Sequence, residues 1–108
     1  MQVNDITWSE TEKKVAHEAF SKAYQREIKT LVEKVRNEAS QITELEEIWH
    51  LHDFLSARRH DIDGKYDYRY SSLIFVFAKL IKENWLNIND LEGLEKEKLT
   101  KITLLTRM

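Results

Sequence analysis

Across 108 residues this chain has no proline and only two glycines, Gly64 and Gly93, so almost nothing in it forces a helix to stop. What it carries instead is an apolar stripe. Val15, Ala16, Ala19, Phe20, Ala23, Tyr24, Ile28, Leu31, Val32 and Val35 recur at gaps of three and four, the period of one helix face. "SETE" at Ser9 to Glu12 has the form of a capping box, a serine N-cap with a glutamate three residues on, and opens that segment. The spacing predicts one helix from Ser9 to about Ala39, roughly 45 Å long at about 1.5 Å per residue. A compact chain of this size has a diameter of only about 30 to 35 Å. Part of the stripe therefore needs a partner.

The rest of the chain also reads as helix, without repeats, linkers or low-complexity segments. "TELE" at Thr43 to Glu46 is a second capping box, and the helix it opens is expected to end near Gly64, the left-handed stop that commonly follows a helix. Asp67 is the expected N-cap of a third helix running through "YSSLIFVFAKLIKEN". Leu73 to Phe77 has the β-branched and aromatic content of a strand, but Lys79, Lys82 and Glu83 alternate with Leu80 and Ile81 at helical spacing, and no second strand is present to pair with it. Asn89 with Glu92 caps a last helical region, broken or bent at Gly93, whose face carries Leu94, Leu99, Ile102 and Leu105. The fold class is all-α, and residues 1–108 are expected to form one domain.

Composition removes several functions. With no cysteine there is no disulfide framework, thiol nucleophile or thiolate metal site. The net charge of -2 mixes many charges of both signs, so the basic footprint of a nucleic-acid binder is missing. No segment resembles a signal peptide or a membrane span, which excludes membrane insertion and points to the cytoplasm.

The densest chemistry lies in "WHLHDFLSARRHDIDGKYDYR", Trp49 to Arg69. At about 100° per residue, Ile48, Leu51, Leu55 and Ile62 share one face and read as core, whereas Trp49, His52, Asp53, Ser56, Arg59, His60 and Asp63 share a neighbouring wedge of about 120°. Helical metal ligands need spacings of three or four, as in His-Glu-x-x-His. His50 and Asp53 have that spacing, but His50 and His52 point apart, His60 is two turns from Asp53, and no third ligand converges. Catalysis fares no better. His52 and Asp53 are adjacent on a helix, and Ser56 lies one turn on with no loop or helix N-terminus to supply oxyanion donors. Phosphate-binding glycine loops are absent. No cofactor is expected. A tryptophan covering the edge of the core among scattered charges is the plainer reading. Against it, large exposed aromatics without a partner are uncommon, which favours a docking surface.

Asp53 and Arg59 add a reason to expect association. Six residues apart on one helix, they lie about 9 Å apart along the axis and about 120° apart around it, too far to pair readily within one chain. Across an antiparallel two-fold, Asp53 of one subunit would approach Arg59 of the other.

"LHDFLSARRHDIDGKYDYR" preceded by Trp49, with "AYQREI" and "IFVFAKL", resembles the fluorescence recovery protein family of cyanobacteria over nearly the whole chain. Position 58 is arginine where the family is associated with lysine, a like-charge change. The resemblance implies an all-helical homodimer of long antiparallel helices, with an elongated stalk over about 9–64 and a small helical head over 67–106. It further implies a non-enzymatic regulator that binds photoactivated orange carotenoid protein, through its C-terminal domain, speeds its return from red to orange, and releases it from the phycobilisome at the cytoplasmic side of the thylakoid. The matching functional positions are Trp49, His52, Asp53 and Arg59 on the second helix, with Phe75 and Lys101 in the head. The alternative from another class is a dimeric helical adaptor with an unrelated client.

Overall fold

The structure, a computed structural model, describes residues 7–108; residues 1–6 of the expected domain lie outside the described residues. Ser9 opens helix α1, Glu10–Ser40, as its sequence predicts: the Ser9 hydroxyl accepts from the Glu12 amide at 3.1 Å, and the Glu12 carboxylate accepts from the Ser9 amide at 3.0 Å. The molecule measures 55 × 24 × 23 Å with a radius of gyration of 16.9 Å. A compact chain of this length would have about 13 Å. The length of α1 is what stretches it.

Helix α2, Leu45–Lys65, returns antiparallel along α1, since Lys34 lies over the Phe54 ring while Glu27 meets Arg58 and Lys65. Its cap sits one residue later than "TELE" suggests. Glu44 is the N-cap, and the Glu47 carboxylate gathers the Glu44 amide at 3.0 Å with the Thr43 amide and hydroxyl at 3.2 Å each. Those bonds from Thr43 and Glu44 hold the Glu47 carboxyl below its usual range. One acceptor thereby satisfies three donors, which the box built on Glu46 could not do.

Two further boundaries differ from expectation. Gly64 does not stop α2: the helix runs through it to Lys65, and Gly93 is the one glycine of positive φ. Lys65 is buried in ion pairs that only a continued helix can reach. Nor is Asp67 an N-cap. Arg69 takes its carboxylate through Nε at 2.8 Å and Nη2 at 2.6 Å, and the Ser72 and Leu73 amides turn back onto the Arg69 carbonyl to start α3, Leu73–Lys82. The run from Leu73 to Phe77 is helix, as its continuation predicts. It ends at Lys82 because Asn84 adopts φ 67°, letting the Trp85 amide bond the Leu80 carbonyl at 2.9 Å.

A 3-10 turn, Ile88–Leu91, follows, capped by Asn87 with Asp90 rather than by Asn89 with Glu92. Gly93, at φ 113°, bends the chain into α4, Lys96–Thr106. The described residues form no named strand. The core joins three alanines of α1, Ala16, Ala19 and Ala23, to Leu73, Phe77 and Leu80 of α3, Leu86, Leu91, Leu94, and Ile102 of α4, with Leu99 and Leu105 packed at its edge. Small residues on α1 let these elements approach its backbone closely. On α2 the expected core face is mostly not core: Ile62 is buried, Leu51 and Leu55 are half-buried, and Ile48 is exposed. No residue from Ile28 to Asp61 is buried.

Candidate functional site

The wedge on α2 stands in solvent. Trp49 is 51% exposed, and Leu45 and Ile48 beside it are exposed too. His52 and Asp53 meet, Nδ1 to Oδ1 at 3.3 Å, closer than adjacent helix positions suggest, but both side chains are exposed, and among the described residues no serine, threonine or tyrosine hydroxyl bonds to either. Arg59 lies 3.7 Å from Asp63, one turn on, and both are exposed. Asp53 and Arg59 therefore have other neighbours within the chain. Contacts this open are weak, about 0 to 1 kcal/mol each, so the guanidinium and the carboxylate remain available to a partner.

Phe75 is 52% exposed although its neighbours Ile74, Val76 and Phe77 are buried, because it points away from the core side of α3. It lines two adjoining grooves. One, of about 480 Å³, runs between α2 and α3 past His60, Asp61, Gly64, Ser72 and Val76. The other, of about 520 Å³, passes Ala78, Lys79, Lys82, Glu83 and Leu105. The fold thus brings the His60 end of the wedge beside Phe75. Lys101, on α4, is half-buried, pairs with Glu97 at 3.3 Å, and lines neither groove.

Sequence reasoning missed the buried charges that hold this arrangement. The Glu27 side chain, fully buried on α1, accepts from Lys65 Nζ at 2.8 Å, from the Tyr66 hydroxyl at 2.7 Å and from Arg58. Burial pushes the Glu27 carboxyl up, but bonds from Lys65, Tyr66 and Arg58 outweigh it and hold the group below the usual carboxylate range. Burial and the adjacent Glu27 carboxylate drive the Tyr66 hydroxyl strongly upward, so it stays a donor. At the far end of the same helix face, Glu12 accepts from the Glu95 amide at 3.0 Å and from Lys98 Nζ at 3.1 Å. A signal was available: Glu12, Ala16, Ala19, Ala23 and Glu27 keep one unbroken spacing of three and four, so both glutamates lie on the apolar face.

Among the described residues no three His, Asp or Glu side chains gather as a metal site, and no helix is long and apolar enough to cross a membrane. What the surface presents is an exposed indole, an exposed guanidinium, and a phenyl ring between two grooves.

The family described as photoprotection regulator fluorescence recovery protein matches residues 8–106. The fluorescence recovery protein of Synechocystis sp. is 49% identical over 108 residues, all of this chain and 99% of that one. Among solved structures, the Fremyella diplosiphon fluorescence recovery protein superimposes with a TM-score of 0.93 at 61% identity, over 94% of this chain and all of that one. The Synechocystis sp. structure gives 0.92 at 51% identity over the same shares. An all-helical, elongated chain that agrees with these relatives in sequence over its whole length and in shape over 94% of it belongs to the photoprotection regulator fluorescence recovery protein family.

Proposed function

We propose that this chain binds photoactivated orange carotenoid protein, through that protein's C-terminal domain, accelerates its reversion from red to orange, and promotes its release from the phycobilisome. The family match across residues 8–106 carries this reading. No covalent step is involved and no cofactor of its own is needed, since the carotenoid belongs to the partner. The chain works as a homodimer at the cytoplasmic side of the thylakoid. The mechanism is differential binding: a protein that holds the opened red state and favours approach of its domains lowers the barrier to closure, and release follows because the compact orange state binds less well.

In this reading Trp49, His52, Asp53 and Arg59 form the docking and dimer face, and Phe75 and Lys101 extend the contact onto the head. Trp49 supplies a rigid apolar anchor and Arg59 a planar donor fork that keeps its charge, residue types that dominate interface energies. The exposed apolar residues of the hairpin, Val32, Leu45 and Ile48, support a second copy as their cover.

The deciding measurement is dark recovery of the orange form. Trp49→Ala and Arg59→Leu should each slow the accelerated recovery by about ten-fold or more, the size of an interface hot spot, while helicity and melting stay near wild type. Light scattering separates the roles: a dimeric Arg59→Leu chain with slow recovery assigns the residue to the partner, a monomeric one to assembly. Exchanging the charges, Asp53→Arg with Arg59→Asp, should dimerise better than either single change. Recovery at wild-type speed in both single variants of the wedge would overturn it as the docking face.

A further inference from the structure

Helix α2 carries the exposed wedge, yet from Ile28 through Asp61 nothing along the hairpin is buried, so apolar packing fixes its direction only loosely. At its C-terminal end the situation changes within one turn. The Glu27 side chain, 0% exposed, receives Lys65, Arg58 and Tyr66, and Lys65 continues to Glu83 at the end of α3 at 2.7 Å. Arg58 also holds Asp61 at 3.0 Å. One carboxylate thus joins α1, α2, the chain leaving α2, and through Lys65 the end of α3.

Charges in such a place bring little net stability compared with apolar side chains of the same volume, but their bonds are directional. An apolar contact tolerates sliding and rotation. A carboxylate that receives an ammonium, a guanidinium and a phenol at fixed angles does not. Arg58 precedes Arg59 and His60, so pinning Arg58 sets where the next two side chains point. Phe75 lines the groove that His60, Asp61 and Lys65 also line.

We propose that Glu27 is a positioning residue for partner engagement: by gathering Arg58, Lys65 and Tyr66 it fixes the angle between the α2 wedge and Phe75, so that one partner can touch both at once. This rests on the docking reading given above. Two contacts on one rigid body act as a bivalent site, and the second is gained at high effective concentration only while their geometry is held.

The chain has no cysteine, so labels can be placed at will. Spin labels at Lys14→Cys and Ala57→Cys, both exposed positions on α1 and α2, report the angle as a distance distribution when a labelled chain is diluted in unlabelled protein. Three backgrounds are compared: wild type, Glu27→Gln, which sets an amide against Lys65 and Arg58, and the apolar pair Glu27→Met with Lys65→Met. The pair keeps the volume, removes both fully buried charges together and leaves Arg58 with Asp61, so that it is expected to melt close to wild type without the directional bonds, a point its own melt checks. Wild type should give one narrow distribution. Both variants should broaden it and slow the accelerated recovery by about ten-fold, as a two-point contact that has lost its geometry would.

A purely structural role predicts instead that recovery follows melting, so that an apolar pair folded at the assay temperature recovers at wild-type speed; that result, or a distribution as narrow as wild type in both variants, overturns the proposal. If Glu27→Gln does not fold, the apolar pair decides by the same two readings. A wild-type chain that fails to accelerate recovery overturns the docking reading and this proposal with it, whereas an active wild type beside equally active variants overturns only the proposal.

Discussion

The two halves of helix α1 share one period and meet opposite surroundings. From Glu12 to Glu27 every turn buries a residue, whereas from Ile28 to Ser40 none is buried, although Ile28, Leu31, Val32 and Val35 continue the apolar spacing. The first half has α3, the 3-10 turn and α4 around it. The second has only α2, whose Ile48, Leu51 and Leu55 cover it in part. Periodicity shows which face of a helix wants cover; the number of neighbours decides whether the chain supplies it. The head is complete in itself, and the hairpin is where a second copy or a partner has something to gain.

One truncation in each end tests this contrast most strongly. Phe77 is fully buried, so Phe77→Ala should cost about 3 to 5 kcal/mol in chemical unfolding, independent of protein concentration. Leu51→Ala, in the hairpin for which a second copy is proposed as cover, should cost about 1 kcal/mol in dilute protein and more as concentration rises, the signature of losing an interface that only the folded protein can form. Equal, concentration-independent costs at both sites would erase the distinction between the two ends.

Next in size is Gly93→Ala in the head. At φ 113° an L side chain is strained, and an added Cβ would lie 2.7 Å from Val15 Cγ2. A loss of about 1 to 3 kcal/mol is expected. Adding Val15→Ala should restore the part due to the clash and leave the part due to the backbone. Full rescue would mean that the left-handed turn contributes nothing.

The same glycine marks what the sequence made legible. Gly93 reads as a break and is one, the Ser9 box reads as a helix start and is one, and the helical period of Lys79 to Glu83 outweighs the strand propensity of "LIFVF". Local signals failed where another side chain, near or far, competes for the same segment. Gly64 resembles a helix stop, but Lys65 must reach Glu27, 38 positions away. Asp67 resembles a cap, but Arg69 claims it. Of the site residues, the exposure of Trp49, His52, Asp53 and Arg59 follows from the wheel alone. Phe75 and Lys101 came from family resemblance, and Glu27 from neither, because a glutamate on an apolar face has no visible partner until the chain is folded.

Acid should separate head and hairpin more gently. Glu12, Glu27 and Asp90 all sit below their ordinary values of 4.5 for the glutamates and 3.8 for the aspartate. For Glu12 burial opposes the shift and bonds from Glu95, Ser9 and Lys98 produce it; for Asp90 the bond from Arg26 leads. The unfolded chain therefore takes up these protons first, so the stabilisation is complete above about pH 5 and is lost as the pH falls through the ordinary values and on toward the lowered ones. Thermal melts should be level from pH 7 to about 5 and then decline. Glu27→Gln should flatten part of that decline and remove the early acid-induced hydrogen exchange of α2 amides. Exchange beginning instead in α3 or α4 would place the weaker anchor in the head, at Glu12 or Asp90.

The smallest expected change has the opposite sign to that at Gly93. Gly64 lies inside α2 at an ordinary helical φ, with nothing within 4 Å of where a Cβ would sit. Gly64→Ala should therefore stabilise the chain by about 0.5 to 1 kcal/mol, by reducing the freedom of the unfolded backbone without adding strain. Opposite signs at two glycines separate local conformation from composition, since both residues looked like breaks in the sequence. The variant also probes the surface, because Gly64 lines the groove beside Phe75 and the new methyl would occupy part of it. A chain that melts higher yet recovers the orange form more slowly would place the partner in that groove; higher melting with unchanged recovery would leave contact to the wedge around Trp49 and Arg59.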